Sequence, residues 1–157
     1  MIYLDSSAIL KLVVPELESA ALFEYLDAAE GPLASSELAS VEVHRALRRM
    51  GTDPDDEHHA LADAVLTELD QLPLAPVLRA AALLPGRWLR SLDALHLATA
   101  QQLPSLRTLI TYDHRLAQHA TAAGLRAEAP ASPEDEPAVR QARDARDAGH
   151  PAPDEDN

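Results

Sequence analysis

Four carboxylates spread along a 157-residue chain, Asp5, Glu42, Asp93 and Asp113, are the residues best suited to chemistry. Each alone has an ordinary explanation. Asp5 follows the apolar run Ile2-Tyr3-Leu4 and suits a helix cap. Asp113 follows Thr108-Leu109-Ile110-Thr111 in the same way. Glu42 lies in a helix-patterned segment with Arg45 and Arg49 three and seven residues on, where a surface ion pair would account for it. Asp93 opens an almost wholly apolar segment, and a helix dipole favours an acid in the first turn. As a set they suggest more. Two parallel strands that each end in an aspartate put both side chains over one sheet edge, where ligands bind. Converging carboxylates are hard oxygen ligands suited to Mg2+ or Mn2+. Two such ions ~3.5–4 Å apart activate a water and steady the leaving oxygen of a phosphodiester. Without a cation the carboxylates repel, and some protonate.

The elements that must position these acids follow from local pattern. Ile2-Tyr3-Leu4 reads as a strand, Asp5-Ser6-Ser7 as a turn, and residues 8–14 as a short helix stopped by Pro15. Residues 17–29 read as a helix with Leu17, Ala21, Leu22 and Tyr25 on one stripe, and Leu33-Ala34-Ser35 as a second strand. Ser36 suits the N-cap of a helix to Met50, closed by Gly51, with Leu38, Val41 and Leu47 inward. Thr52 or Asp53 suits the next cap, with Pro54 in the first turn and Leu61, Ala62, Val65, Leu66 and Leu69 at helical spacing. Pro73 and Pro76 bracket an extended piece, and helices are expected over 77–84 and 91–103. The β-branched run at 108–111 fits a buried strand, and a helix from Asp113 to Ala123 ends at Gly124 before a short strand at 125–128. Short strands alternating with helices predict an α/β fold: a parallel sheet with helices on both faces.

Composition sets the limits. The length fits one domain, here residues 1–128. From residue 129 the chain turns to Pro, Ala and charge, which predicts a disordered acidic tail, 129–157; a short helix beginning at Ser132-Pro133-Glu134 is the alternative. There is no cysteine, which excludes disulfides and thiolate zinc sites. No apolar run approaches the ~18 residues of a membrane span, and Met1 to Asp5 has no basic region of a signal peptide. The expected setting is the cytoplasm. The net charge of −13 argues against a simple nucleic-acid-binding module, which is usually basic. It weighs less against a nuclease, because bound metal reverses the local sign.

The segments around the acids resemble a known family. Tyr3-Leu4-Asp5-Ser6-Ser7-Ala8-Ile9-Leu10-Lys11-Leu12 is similar to the opening motif of PIN-domain nucleases, especially the VapC toxins of bacterial toxin–antitoxin pairs. Ser40-Val41-Glu42-Val43-His44-Arg45-Ala46-Leu47 resembles the second motif. Leu92-Asp93-Ala94-Leu95-His96-Leu97-Ala98-Thr99-Ala100 resembles the third, the most specific, and Thr111-Tyr112-Asp113 the fourth. The resemblance covers residues 1–128 and leaves out the tail. It implies a three-layer α/β/α fold and an endoribonuclease dependent on Mg2+ or Mn2+. Asp5 and Asp93 would be the main ligands, completed by Glu42 and Asp113, with Ser7 supporting the first turn and Thr111 orienting ligands. It also implies an RNA substrate, a homodimer and a VapB-like antitoxin that inserts into the catalytic groove. Arg45 and Arg90 are the candidates for binding phosphate or antitoxin.

Other features carry less. His58-His59 reads as a surface pair, His96 as a packed helix residue, and His114 as a neighbour of substrate at most. The Gly-x-Ser-x-Gly pattern of a hydrolase elbow is absent around Ser6 and Ser7, and there is no glycine-rich phosphate loop. Two rival readings remain. A receiver-like phosphoacceptor would use Asp5 or Asp113 but leave Glu42 and Asp93 without a role. A catalytically inactive PIN-like domain that binds RNA or protein would not need all four acids.

Overall fold

Ile2–Leu4 forms strand β1 with all three side chains buried, as a central parallel strand requires. The structure, a computed structural model, describes residues 1–133 and residue 141. After β1 come helices α1 (Ser6–Val13) and α2 (Ser19–Asp27), strand β2 (Leu33–Ser36), and helices α3 (Leu38–Arg49) and α4 (Glu57–Thr67). Strand β3 (Asp70–Leu72) and helices α5 (Leu78–Ala82) and α6 (Ser91–Gln101) follow. Strand β4 (Thr108–Ile110), helix α7 (His114–Ala122) and strand β5 (Ala127–Glu128) complete the described fold. The strands form one parallel sheet in the order β3-β2-β1-β4-β5. The chain thus builds outward from β1 in one direction, then returns to β1's other side with β4. Between β1 and β4 lies the topological switch point, where an open parallel sheet binds ligands.

Alternation along the strands feeds two cores. Ile2, Leu4 and Ile110 pack with Ile9, Leu22, Val43, Leu47 and Leu66 on the face covered by α1 to α4. Tyr3 and Leu109 point the other way, onto Leu97, Ala100, Leu116 and Ala120 of α6 and α7. The result is the expected three-layer α/β/α arrangement. Helix α5 packs Val77 and Ala81 against Ala94 and Ala98 of α6. Among the described residues no helix is long and apolar enough to cross a membrane.

Several local expectations are corrected. Helix α4 is capped by Asp56, which accepts from the His58 amide at 2.9 Å, and neither Thr52 nor Asp53 caps it. The later start lets His59, Ala62 and Leu66 all turn inward. On α3 the buried stripe is Ala39, Val43 and Leu47, at strict four-residue spacing, and Val41 is 61% exposed. Leu17 and Leu61 are also exposed. Strand β3 precedes the proline pair and does not lie between the prolines; as an edge strand it exposes Asp70 and Gln71, so no apolar run announces it. His59 is buried, not on the surface: it meets His44 Nδ1 at 2.7 Å and Thr52 Oγ1 at 3.1 Å, joining α4 to α3. Beyond β5, Tyr112 donates its hydroxyl to the Pro130 carbonyl at 2.7 Å. Most of the expected tail lies outside the described residues.

Candidate active site

Asp5 caps α1 at the end of β1, where the backbone turns from extended to helical. Its Oδ1 accepts from the Ala8 amide at 3.0 Å and from Ser7 Oγ at 2.7 Å. Its Oδ2 accepts from Thr111 Oγ1 at 2.6 Å, across the switch point from β1 to the end of β4. Asp5 is 4% exposed. Burial pushes its pKa above the usual carboxylate range, and this outweighs the neighbouring His96 and the bonds from Thr111, Ser7 and Ala8.

Asp113 caps α7 in the equivalent place after β4. Its Oδ1 accepts from the amides of Arg115 at 2.8 Å and Leu116 at 3.0 Å. Asp93 sits in the first turn of α6, and its Oδ2 is buried without a hydrogen-bond partner among the described residues. Burial raises the Asp93 pKa, and the charge of Asp113 raises it further, against the pull of Arg90, Arg115 and His96. Glu42 reaches in from α3. Its Oε2 accepts from Ser6 Oγ and lies 2.7 Å from His96 Nε2. Burial works to raise its pKa, but the His96 and Ser6 bonds and the charge of Arg49 prevail and hold it low.

All four acids line one cleft of about 420 Å3 at the carboxyl edge of the sheet. Ser7 and Arg90 also line it, while Thr111 lies beneath, buried against Asp5. Arg45 is exposed and does not line the cleft; Arg49 does. The reason is helical geometry: Ala46 and Arg49, four and seven residues after Glu42, share its face more closely than Arg45. Lys11, near Asp5 in sequence, is paired with Glu16 at 2.5 Å and Glu18 at 2.7 Å. Two cleft residues, Ser6 and His96, do not stand out as functional from the sequence. Their signal was position: Ser6 adjoins Asp5, and His96 lies three residues after Asp93.

The donor set fits a hard divalent cation. It is all carboxylate oxygen, and Asp93 Oδ2 is a buried acceptor with nothing among the described residues to satisfy it. The acids are not drawn into one cage, however. Among the described residues no three His, Asp or Glu side chains stand close enough to hold one ion between them. Local bonds explain this, since Glu42 is turned onto His96 and Ser6, and Asp113 onto its own helix.

A family model described as "PIN domain" matches residues 2–122. The chain belongs to the PIN domain family. Within it, this PIN domain is of the VapC type. It is 43% identical over 135 residues to Ribonuclease VapC35 of Mycobacterium tuberculosis, covering 83% of this chain and 97% of that one. The PIN domain also shares its fold with solved structures. VapC20 of Mycobacterium tuberculosis, described as a sarcin-ricin loop cleaving toxin, superposes with a TM-score of 0.66 at 16% identity, over 83% of this chain and all of that one. A toxin–antitoxin complex from Klebsiella pneumoniae gives 0.57 at 20% identity, over 74% of this chain and 90% of that one.

Proposed function

We propose that this chain is an endoribonuclease dependent on Mg2+ or Mn2+ and acts as the toxin of a toxin–antitoxin pair in the cytoplasm. The observation that carries the reading is Asp93. A carboxylate oxygen buried without a partner among the described residues, beside a second acid in a cleft with two more, is unfavourable as a bare anion, and a cation relieves it without a proton having to be taken up. Asp5, Asp93, Glu42 and Asp113 would hold that cation. When bound, it supplies the charge that activates water and stabilises a phosphodiester under attack.

The chain's own groups do the rest. Ser7 and Thr111 fix the Asp5 carboxylate. Arg49 and Arg90 line the cleft, where they offer local positive charge to RNA phosphates against the repulsion of the whole protein. The same arginines suit acidic side chains of a VapB-like antitoxin entering the groove. The name of VapC35 and the toxin–antitoxin setting of the structural neighbours support this partner and substrate class. A homodimer is part of the same reading.

The phosphoacceptor alternative fits poorly, because it gives no role to Glu42 and Asp93, which line the same cleft as Asp5 and Asp113. The inactive alternative leaves four acids in one cleft without a purpose. An RNA cleavage assay with a titration of Mg2+ and Mn2+ tests the proposal. Cleavage that needs the added ion, stops with chelator and disappears in Asp93→Asn is expected. Equal cleavage by Asp93→Asn would overturn the site.

A further inference from the structure

A continuous line of hydrogen bonds runs from the sheet core to the cleft through a residue with no assigned role. The Tyr3 hydroxyl, on a side chain with no exposed surface, lies 2.7 Å from His96 Nδ1. His96, itself 3% exposed, places Nε2 2.7 Å from Glu42 Oε2. Ser6 Oγ donates to the same Glu42 oxygen and lies 3.2 Å from His96 Nε2. The Tyr3 and His96 rings meet edge to face, their centroids 5.9 Å apart.

Donor and acceptor rules fix the Glu42 end of this line. An ionised Glu42 only accepts, so His96 Nε2 must carry the hydrogen between them. In the neutral ring Nδ1 then accepts from the Tyr3 O–H, and in the imidazolium Nδ1–H donates to the Tyr3 oxygen. Either way the ring is satisfied at both nitrogens and cannot turn over without breaking both bonds. Both bonds to Glu42 fall on Oε2. Oε1 takes neither of these bonds, and Glu42 lines the cleft.

We infer that His96 is a positioning residue for Glu42: locked by Tyr3, it donates through Nε2 to Glu42 Oε2 and thereby presents Oε1 to a cation in the cleft. The inference rests on the reading of Glu42 as a metal ligand. It explains why a histidine stands one helical turn after Asp93: α6 supplies an acid to the cleft and, three residues on, the donor that orients an acid from α3. Outer partners of this kind are worth about 10–100-fold in metal affinity.

The test needs no RNA. Nitrogen-15 NMR of the metal-free chain reads the His96 tautomer, and Mn2+ binding by electron paramagnetic resonance reads affinity. The expected results are a hydrogen on Nε2, a shift of that signal in Glu42→Gln, and Mn2+ binding about 10–100-fold weaker in His96→Phe. His96→Gln, whose amide can still donate to Glu42, should recover most of the affinity. Tyr3→Phe removes the bond at Nδ1 and keeps the hydrogen on Nε2, and Mn2+ binding should weaken less than in His96→Phe. An Nε2 without hydrogen, or a folded His96→Phe that binds Mn2+ like the natural chain, overturns the inference. Should His96→Phe not fold, a His96 signal that does not move in Glu42→Gln overturns it instead. If the natural chain binds no Mn2+, the metal reading fails on its own. The response of the His96 signal to Glu42→Gln then decides: no response removes the positioning bond as well.

Discussion

Thr111 donates to Asp5 Oδ2 at 2.6 Å, a bond between residues 106 apart in sequence that ties the end of β4 to the end of β1. The same hydroxyl oxygen accepts from the Asp113 amide at 3.0 Å. One threonine thus links two of the four acids. Thr111→Val keeps the shape and removes both bonds. The expected loss is about 1.5–3 kcal/mol in denaturant unfolding, the usual range for a buried hydrogen bond to a charged group. Thr111→Ser should restore most of it. A Thr111→Val chain as stable as the natural one would show that Asp5 has no need of this donor.

Asp5 and Asp93 give stability a dependence on pH. Both have folded pKa values raised above the usual carboxylate range, chiefly by burial. Unfolded, they release their protons near pH 4, at about the ordinary aspartate value. Above that point the folded chain still holds protons that the unfolded chain has released, so stability falls as pH rises through the folded values. Asp5→Asn and Asp93→Asn remove this penalty. Without metal, each variant should melt higher than the natural chain at pH 7, and the gap should narrow toward pH 4. Thermal melts at several pH values, with chelator present, check this; a gap that widens on acidification would contradict the burial argument.

The chemistry of the cleft predicts the product ends. Attack by water on the phosphodiester with the 3′-oxygen leaving, so that the P–O3′ bond breaks, yields 5′-phosphate and 3′-hydroxyl ends. Attack by the RNA's own 2′-hydroxyl would leave a 2′,3′-cyclic phosphate and would call for a general base and acid flanking the ribose. The cleft offers carboxylates, and its one histidine among the described residues is engaged by Tyr3 and Glu42. End mapping of cleaved RNA should therefore find 5′-phosphates, and cyclic ends would rule out water as the nucleophile.

Three arginines that neighbour Glu42 and Asp93 in the sequence separate by where they stand. Arg49 and Arg90 line the cleft, while Arg45 is exposed elsewhere on α3. Replacing Arg49 or Arg90 with alanine should weaken RNA binding and reduce its salt slope by roughly one unit for each phosphate no longer neutralised. Arg45→Ala should change the slope little. The measurement is RNA affinity at several salt concentrations in an Asp5→Asn background that cannot cleave. Equal slopes for all three variants would place the RNA away from this cleft.

The four acids, the alternation of strands and helices, and the caps at Asp5 and Asp113 were legible in the sequence, because each rests on local chemistry. A β-branched run buries, an aspartate after a strand caps the next helix, and an acid favours a first turn. Periodicity was a weaker guide on α3 and α4, where exposed Val41 and Leu61 look as apolar as their buried neighbours. Strand β3 stayed hidden because an edge strand need not be apolar. What only the tertiary structure decided is which groups meet. Glu42 and His96 are 54 residues apart, Tyr3 and His96 are 93 apart, and no local rule joins them. The placement of Arg49 in the cleft in preference to Arg45 depends on how α3 is rotated against α1 and the sheet. That rotation is set by burial of Ala39, Val43 and Leu47, a packing property of the whole fold.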